Sequence, residues 1–562
     1  METTIAKENF TKKLKYSLIL LWVLVNIFQA YSTELAHDEA YYWVYSEFLD
    51  FGYFDHPPMI ALLIKAGSIL FEGELGVRII IVFLNLVTLI TLHELTNKKN
   101  FTLLFAIMCS ISVFHVYGFI AVPDAPLLAF SALFFLLYKR YLFKQNAVNI
   151  VLLSLVIAML LYSKYHGILL VFFTLLSNVS LLKQRGFYLI IILSLLFYSP
   201  HIYWQIINDY PSYKYHVLNK SQIPYNPLDT IVYLLGQLLI YGPIISGLLF
   251  YSAFKLKSST HFEKALKYNL YGILLFFLFS TLNSKVEPNW TIIIFIPLVI
   301  LSHQYITEST KLLKWTKRIA YISFVIFVVV RIELIHNFLP DSYVEKSEFH
   351  GWEMWAKEIQ SKSNNDPVVF MNSYQKASKY SFYSSQTALS LNNVRYRRNQ
   401  YDIWDIEDSM QGKSVFLIPN WDIPDLNTFE TEKEIFNYKV IDNFRSYNKV
   451  IIECLIQNDS KFSSNELVET PLSFVNPSSQ SIRFDQNEKY PVYAVCSIFK
   501  HEDFIEEQTL FHLDHLILKD LTKVSVNVKI PQDPGIYYLR FSLKSGWLPP
   551  SINSNLIRII VV

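Results

Sequence analysis

The chain has 562 residues, 52% of them hydrophobic, with 49 basic and 47 acidic side chains for a net charge of +2. Its mean hydropathy of +0.28 is too apolar for a soluble protein of this length. The near-zero net charge gives no sign of a nucleic-acid partner, and three cysteines are too few for a disulfide scaffold. Cys109 lies in an apolar run. Cys454 and Cys496 lie in the polar part and could pair if it is extracytoplasmic, or stay as buried thiols.

The first apolar run, 17–31, follows basic residues, but no small-residue cleavage site comes after it, so it reads as a signal anchor. Apolar runs then recur at 76–95, 101–119, 125–142, 147–163, 167–182, 187–206, 229–253, 269–283, 290–306 and 319–337. Each approaches the roughly 20 residues that a helix needs to cross about 30 Å of hydrocarbon, and with the first span, 16–32, they make about eleven helices. Between 58 and 71 lies a shorter apolar stretch opened by Pro57-Pro58, which predicts a helix lying in the outer interface.

Basic residues such as Lys12, Lys13, Lys98, Lys99, Lys139, Arg140, Lys183, Arg185, Lys255, Lys257, Lys314 and Arg318 fall in alternate loops. The positive-inside rule puts those loops and the N-terminus in the cytoplasm. An odd number of spans then places everything after residue 340 outside. There Trp352–Ile359 reads as an amphipathic helix, with Pro367–Met371 and Val415–Pro419 as buried strands. Beyond 460, alternating strands such as Val524–Val528 and Tyr537–Phe541 suggest an antiparallel β-sandwich. The expected domains are therefore 1–340 in the membrane, an α/β domain at 341–457 and a β-sandwich at 458–562.

This topology gathers Asp38, Glu39, Asp55, His56, Asp124, Lys164, His166, His201, His216, Lys220, Lys285 and Glu287 at the outer surface. The cytoplasmic surface has scattered lysines instead. Ionisable groups at a membrane boundary are functional suspects, and a mixed acid-and-base set suits chemistry on a charged lipid head group.

Four motifs sharpen this reading: Asp38-Glu39-Ala40-Tyr41-Tyr42, Tyr53-Phe54-Asp55-His56-Pro57-Pro58, Pro123-Asp124-Ala125-Pro126 and Ser163-Lys164. Over residues 10–340 the chain resembles the GT-C glycosyltransferases, in the bacterial branch similar to protein O-mannosyltransferases and the lipid A aminoarabinose transferase. Val286-Glu287-Pro288-Asn289-Trp290 and Arg398-Asn399-Gln400-Tyr401-Asp402 also look like bacterial members. The chain departs from the aminoarabinose branch at His56, where that branch carries lysine, and at Tyr41, where it carries arginine.

The resemblance implies an inner-membrane enzyme with its C-terminal domains in the periplasm. It would move a sugar, with inversion, from a polyprenyl-phosphate donor to an extracytoplasmic acceptor such as protein, lipid A or glycan. It implies no nucleotide cofactor and, as an option, a divalent metal ion. Asp38 would be the general base beside Glu39. Lys164, Lys220 and His56 would meet the donor phosphate, and Asp55 with His216 would be the candidate metal ligands. Asp124, Tyr42 and Trp290 are candidates for the acceptor side. Each has a plainer reading: Asp38 and Asp124 as helix caps, Lys164 as a snorkelling lysine, His216 and Lys220 as parts of a solvated helix. Arg395, Arg397 and Arg398 form a basic cluster that is either a solvated face or a hold for an anionic acceptor. The rival class is a transporter or flippase of polyprenyl-linked sugars, which should show broken spans near the bilayer midplane.

Overall fold

The computed structural model describes residues 2–219, 225–339, 347–420, 423, 425–477, 481–484, 490–501, 503–513, 517–519 and 521–562. The chain forms two compact units, Met1–His350 and Gly351–Val562.

The first unit is helical throughout. In chain order its helices are α1 (Glu2–Ser32), α2 (His37–Glu47), α3 (Met59–Leu70), α4 (Gly73–Leu95), α5 (Phe101–Met108), α6 (Ser112–Val116), α7 (Asp124–Phe143), α8 (Ala147–Ser163), α9 (Gly167–Ser177) and α10 (Arg185–Ile207). A short turn, α11 (Pro211–Tyr213), runs into a π-helix at Lys214–Asn219. Then follow α12 (Pro227–Ile240), α13 (Ser246–Lys255), α14 (His261–Ser280), a 3-10 turn at Pro288–Ile294, α15 (Phe295–Thr307) and α16 (Thr310–His336). Six of these helical stretches are long and apolar enough to cross a membrane. Four more, including α3, α8 and α9, are apolar but shorter.

Local chemistry sets the helix starts. Asn146 accepts from Asn149 N–H, Thr260 and Glu263 form a reciprocal capping box, and Asn226 caps a helix whose first residue is Pro227. The stretch 288–307 is the most enclosed, with 78% of its apolar window buried, against 17% for α10 and α16. In a bilayer an apolar helix with so little protein cover faces lipid, and Ile192, Leu195, Tyr321 and Val329 are among its exposed side chains.

Two expected spans are each split between two α-helices. The stretch 101–119 breaks between α5 and α6, and 229–253 breaks between α12 and α13. The two breaks meet: Gly242 sits at φ +97° with no room for a Cβ beside the Ser110 carbonyl oxygen, and Ser112 Oγ donates to Leu239 O at 2.7 Å. His115 closes the first break. Its Nε2–H donates to Cys109 O at 2.8 Å, while Arg331 Nε donates to its Nδ1 at 3.2 Å.

The second unit opens with a helix at Trp352–Lys362 and a five-stranded sheet in the order β2-β1-β3-β5-β4. Its strands are β1 (Val368–Met371), β2 (Leu389–Leu391), β3 (Val415–Ile418), β4 (Asn427–Glu430) and β5 (Ile435–Ile441). Strand β1 pairs parallel with both β2 and β3, and β5 pairs antiparallel with β3 and β4. Apart from a separate short pair that joins Ile482–Arg483 to Ile517–Leu518, the strands from β6 (Ile451–Cys454) onward form two further layers. One is β11-β10-β14-β15-β7, comprising β7 (Ser460–Phe462), β10 (Val492–Lys500), β11 (Asp503–His512), β14 (Gly535–Ser545) and β15 (Ile557–Val561). The other is β13-β8-β6, with β8 (Leu467–Val475) and β13 (Leu521–Lys529). Val492, Cys496, Leu472, Val528 and Phe541 pack together in their shared core. The layers are not wholly antiparallel as the alternation suggested, because β7 pairs parallel with β15. Cys109, Cys454 and Cys496 are free thiols, so the pairing open to Cys454 and Cys496 is not made.

Candidate functional site

The acidic motif lies at the start of α2. Asp38 and Glu39 are neighbours on one helix, about 100° apart around its axis, so they cannot serve one partner. Asp38 is exposed and Glu39 is fully buried.

Glu39 meets Arg78 of α4 through two bonds: Nε to Oε1 at 2.7 Å and Nη2 to Oε2 at 2.6 Å, with both side chains fully buried. It also accepts Ala36 N–H at 2.9 Å and Ala121 N–H at 2.7 Å. Arg78 sends its remaining N–H groups to the carbonyl oxygens of Ala30, Thr33 and Glu34 at the end of α1. The pair therefore locks the end of α1, the start of α2, α4 and the approach to α7 at one point. Glu39, named beside the base, is expected to support the fold of the loop, since adjacent side chains do not face one way on a helix. Both its oxygens are committed to this clamp, whose effect is to fix the helix that carries Asp38.

The second motif folds as a tight loop. Tyr53 stacks on Tyr45 with centroids 4.0 Å apart, and its hydroxyl donates to Tyr45 O at 2.9 Å. The loop is tied to the end of α10. His201 Nδ1–H donates to Phe51 O at 2.7 Å, Trp204 Nε1 donates to Asp50 Oδ2 at 2.7 Å, and Ser212 Oγ donates to Tyr53 O at 3.0 Å. With its Nδ1 donating, His201 accepts the Tyr165 hydroxyl at Nε2, 3.0 Å away. A Cβ on Gly52 would run into the Trp204 ring, so the close approach requires glycine.

Asp55 is buried in this loop. His216 Nε2 approaches its main-chain oxygen at 2.9 Å. The His56 ring lies 6.4 Å from His216 and 5.7 Å from Tyr42, itself buried. Among the described residues no group of three His, Cys, Asp or Glu side chains is placed to hold a metal ion. Lys220 lies outside the described residues.

A third cluster joins the remaining motifs. Asp124 is the first residue of α7. Its described bonds go not to the helix backbone but to Lys164 Nζ, 2.8 Å from Oδ1, and to Asn289 Nδ2, 3.2 Å from Oδ2. The Asp124 and Lys164 side chains are only 5% and 7% exposed. Nearby, His166 lies 5.2 Å from Trp290, ring to ring. Tyr165, next to Lys164, lies 5.9 Å from His216, so the second and third clusters adjoin. Lys285 and Glu287 pair with each other at the surface, at 3.1 Å.

Residues 55–204 match the protein family described as Dolichyl-phosphate-mannose-protein mannosyltransferase. Among solved structures, ArnT from Cupriavidus metallidurans in the apo state superposes with a TM-score of 0.57 at 10% identity, covering 76% of this chain and 98% of that one. The same protein bound to undecaprenyl phosphate gives 0.56 at 11% identity, covering 75% and 97%. The chain has the GT-C fold. The family match is confined to residues 55–204, and the superposition shows a fold shared with ArnT. No curated protein matches it in sequence. Within this GT-C unit, sequence reasoning missed Arg78 and Trp204, and it held Asn289 only as part of the Val286–Trp290 motif. Arg78 lies inside an apolar run, and Trp204 looks like an ordinary interfacial residue; only the folded chain brings them to the motifs.

Proposed function

We propose that this GT-C protein is an inverting transferase. It would take a sugar from a polyprenyl-phosphate donor and attach it to an acceptor at the outer face of a bacterial inner membrane. The observation that carries the reading is the pairing of an exposed Asp38 with a buried, fully occupied Glu39 on one helix start. An enzyme of this kind needs a carboxylate whose position is fixed while its oxygens stay accessible to an acceptor hydroxyl or amine. Asp38 would take the proton as the acceptor attacks the anomeric carbon. The bond to the lipid phosphate then breaks, and the phosphate leaves with the bonding electrons.

The growing charge on that phosphate needs a positive partner. Lys164 is assigned that part, with Asp124 and Asn289 holding it in place until the donor arrives. Lys220 is assigned to the same end of the donor. His56, His216, Tyr42 and Asp55 would shape the wall between the two, with Trp290 on the acceptor side. Because the described residues around Asp55 offer no metal donor set, no step is routed through an ion. ArnT bound to undecaprenyl phosphate, with the same fold, supports a lipid-phosphate donor here.

Asp38→Asn, reconstituted with undecaprenyl-phosphate-linked sugar and an acceptor extract, should lose about 10²–10⁴-fold in transfer while remaining folded. Turnover close to wild type would remove Asp38 from the mechanism.

The rival carrier reading draws on one observation, the two broken helices that meet at Ser110 and Gly242. Discontinuous helices line the sites of many transporters. Here the breaks are plugged by their own contacts, and Tyr241 beside them is fully buried with its hydroxyl on Thr291 O at 2.7 Å. Lipid-linked sugar crossing proteoliposomes that contain Asp38→Asn would favour the carrier.

A further inference from the structure

The sheet that contains β10 and β14 carries buried donors that lack acceptors. Ser497 of β10 lies directly across from Arg540 of β14, and Ser542 is two residues further along β14. Side chains alternate along a strand, so all three stand on one face of the sheet. Both serines are fully buried, and neither hydroxyl has a partner among the described residues. The Nε–H of Arg540 is likewise buried without a partner, and no described carboxylate offsets its charge.

A second cation adds to the imbalance. Arg398, in the segment after β2, donates Nη2–H to Ile552 O at 2.8 Å and lies close enough to Arg540 for the two charges to repel. Burial first, and that repulsion second, pull the ionisation of Arg540 down to about 9. The neighbouring Asn399 is fully buried, and its Nδ2 also lacks a partner among the described residues. The acids of this region are engaged elsewhere. Glu507, across from Ser497 on β11, accepts Lys544 Nζ at 2.6 Å. Asp402, whose charge favours the charged form of Arg398, accepts Asn392 Nδ2 and Asn399 N–H, each at 2.8 Å. Arg398 and Arg540 each keep part of their surface accessible, so an anion from solution can reach them.

Folded proteins seldom bury donors and like charges without acceptors. A tetrahedral oxyanion supplies what is missing: it accepts only, it carries charge opposite to both guanidiniums, and its oxygens suit guanidinium and hydroxyl donors. We propose that Arg540, Arg398, Ser497 and Ser542 bind a phosphate group, free or carried on a small sugar. The site uses no residue of the transfer reading.

Calorimetry and thermal unfolding of the full chain in detergent micelles test it, at constant ionic strength in sodium chloride. The probes are inorganic phosphate and glucose 1-phosphate. Inorganic phosphate should bind and raise the unfolding midpoint. Arg540→Gln should weaken binding at least about tenfold, the effect of one charge-assisted hydrogen bond. Without phosphate its midpoint should be no lower than wild type, because an uncompensated charge is gone. An arginine with a structural role alone would lower that midpoint and leave the phosphate-dependent rise in place, which would overturn the proposal. Ser497→Ala with Ser542→Ala keeps both cations and should weaken binding severalfold, which covers the case that Arg540→Gln fails to fold. Asp38→Asn should bind phosphate like wild type. Binding of glucose 1-phosphate as well supports a sugar-borne phosphate, and its exclusion supports the free anion. Binding of neither probe, or binding unchanged in these Arg540 and serine variants, would also overturn the proposal.

Discussion

Asp38 and Glu39 differ by one position and live in different environments. The acidic pair was visible in the sequence as a motif, and helix geometry alone says that its members face apart. What the sequence did not carry was the partner, because Arg78 sits 39 residues away within an apolar run. An arginine there reads as an interfacial anchor, and only the folded chain shows that its guanidinium is fully used. Removing one member of a buried ion pair leaves a charge without compensation and costs about 3–5 kcal/mol. Arg78→Leu should therefore lower the yield of folded protein sharply. Arg78→Leu with Glu39→Leu should recover part of it, and size-exclusion profiles of the detergent-extracted variants report the difference. Asp124 and Lys164 were each legible as candidates, but their pairing came only with the fold. The lysine looked able to snorkel, whereas it is buried on a carboxylate.

Among the elements, every expected apolar stretch of the first unit is helical, because hydropathy over about 20 residues is a strong signal. The two breaks escaped notice because Cys109-Ser110-Ile111 and Tyr241-Gly242-Pro243 are nearly as apolar or small as their neighbours. They are set by tertiary contact, with Gly242 against the Ser110 carbonyl and His115, held by Arg331, donating to the Cys109 carbonyl that α5 leaves open. Gly242→Ala meets both a positive φ and that carbonyl. It should destabilise by more than the roughly 1–2 kcal/mol that a left-handed backbone alone costs an L-residue, read as a lower midpoint of thermal aggregation. In the second unit, Glu407 is buried and accepts Ser446 Oγ at 2.6 Å and Asn448 N–H at 3.1 Å, both on Oε1. Burial pushes its carboxyl up to about 7, and burial likewise raises Asp402 to about 6. Both folded values exceed the ordinary carboxylate range, so the folded state holds these protons more tightly than the unfolded chain does. The resulting stability is full below about pH 4 and is lost as pH rises through 6 to 7. The unit should become protease-sensitive at a lower temperature at pH 8 than at pH 5, and Glu407→Gln should flatten that difference.

For the whole molecule, the membrane character and the change of composition past residue 340 were readable from the sequence, since both are averages over many residues. The layered second unit was readable only in part, because a parallel contact such as β7 with β15 joins strands about 100 residues apart and leaves no local trace. Orientation in the bilayer follows from the basic loops and is open to direct labelling. In a Cys454→Ser background, Glu72→Cys and Ser409→Cys, both at exposed positions, should react with an impermeant thiol reagent outside spheroplasts. Ser259→Cys should not. The opposite pattern would put Asp38 on the cytoplasmic side and end the transfer reading.

The clamp around Arg78 also constrains how the protein is made. Its members leave the ribosome in the order Ala30, Glu39, Arg78, Ala121, and the last of them comes only after α4, α5 and α6 have been synthesised. Until then Glu39 lacks the Ala121 N–H, and before Arg78 emerges it has no counter-charge at all. The nascent α2 must therefore wait in the aqueous surface layer, where an unpaired carboxylate is tolerated, and enter its final place only when α4 arrives. The segment that bears Asp38 is among the first to be synthesised and is fixed in position only after the approach to α7 has joined it.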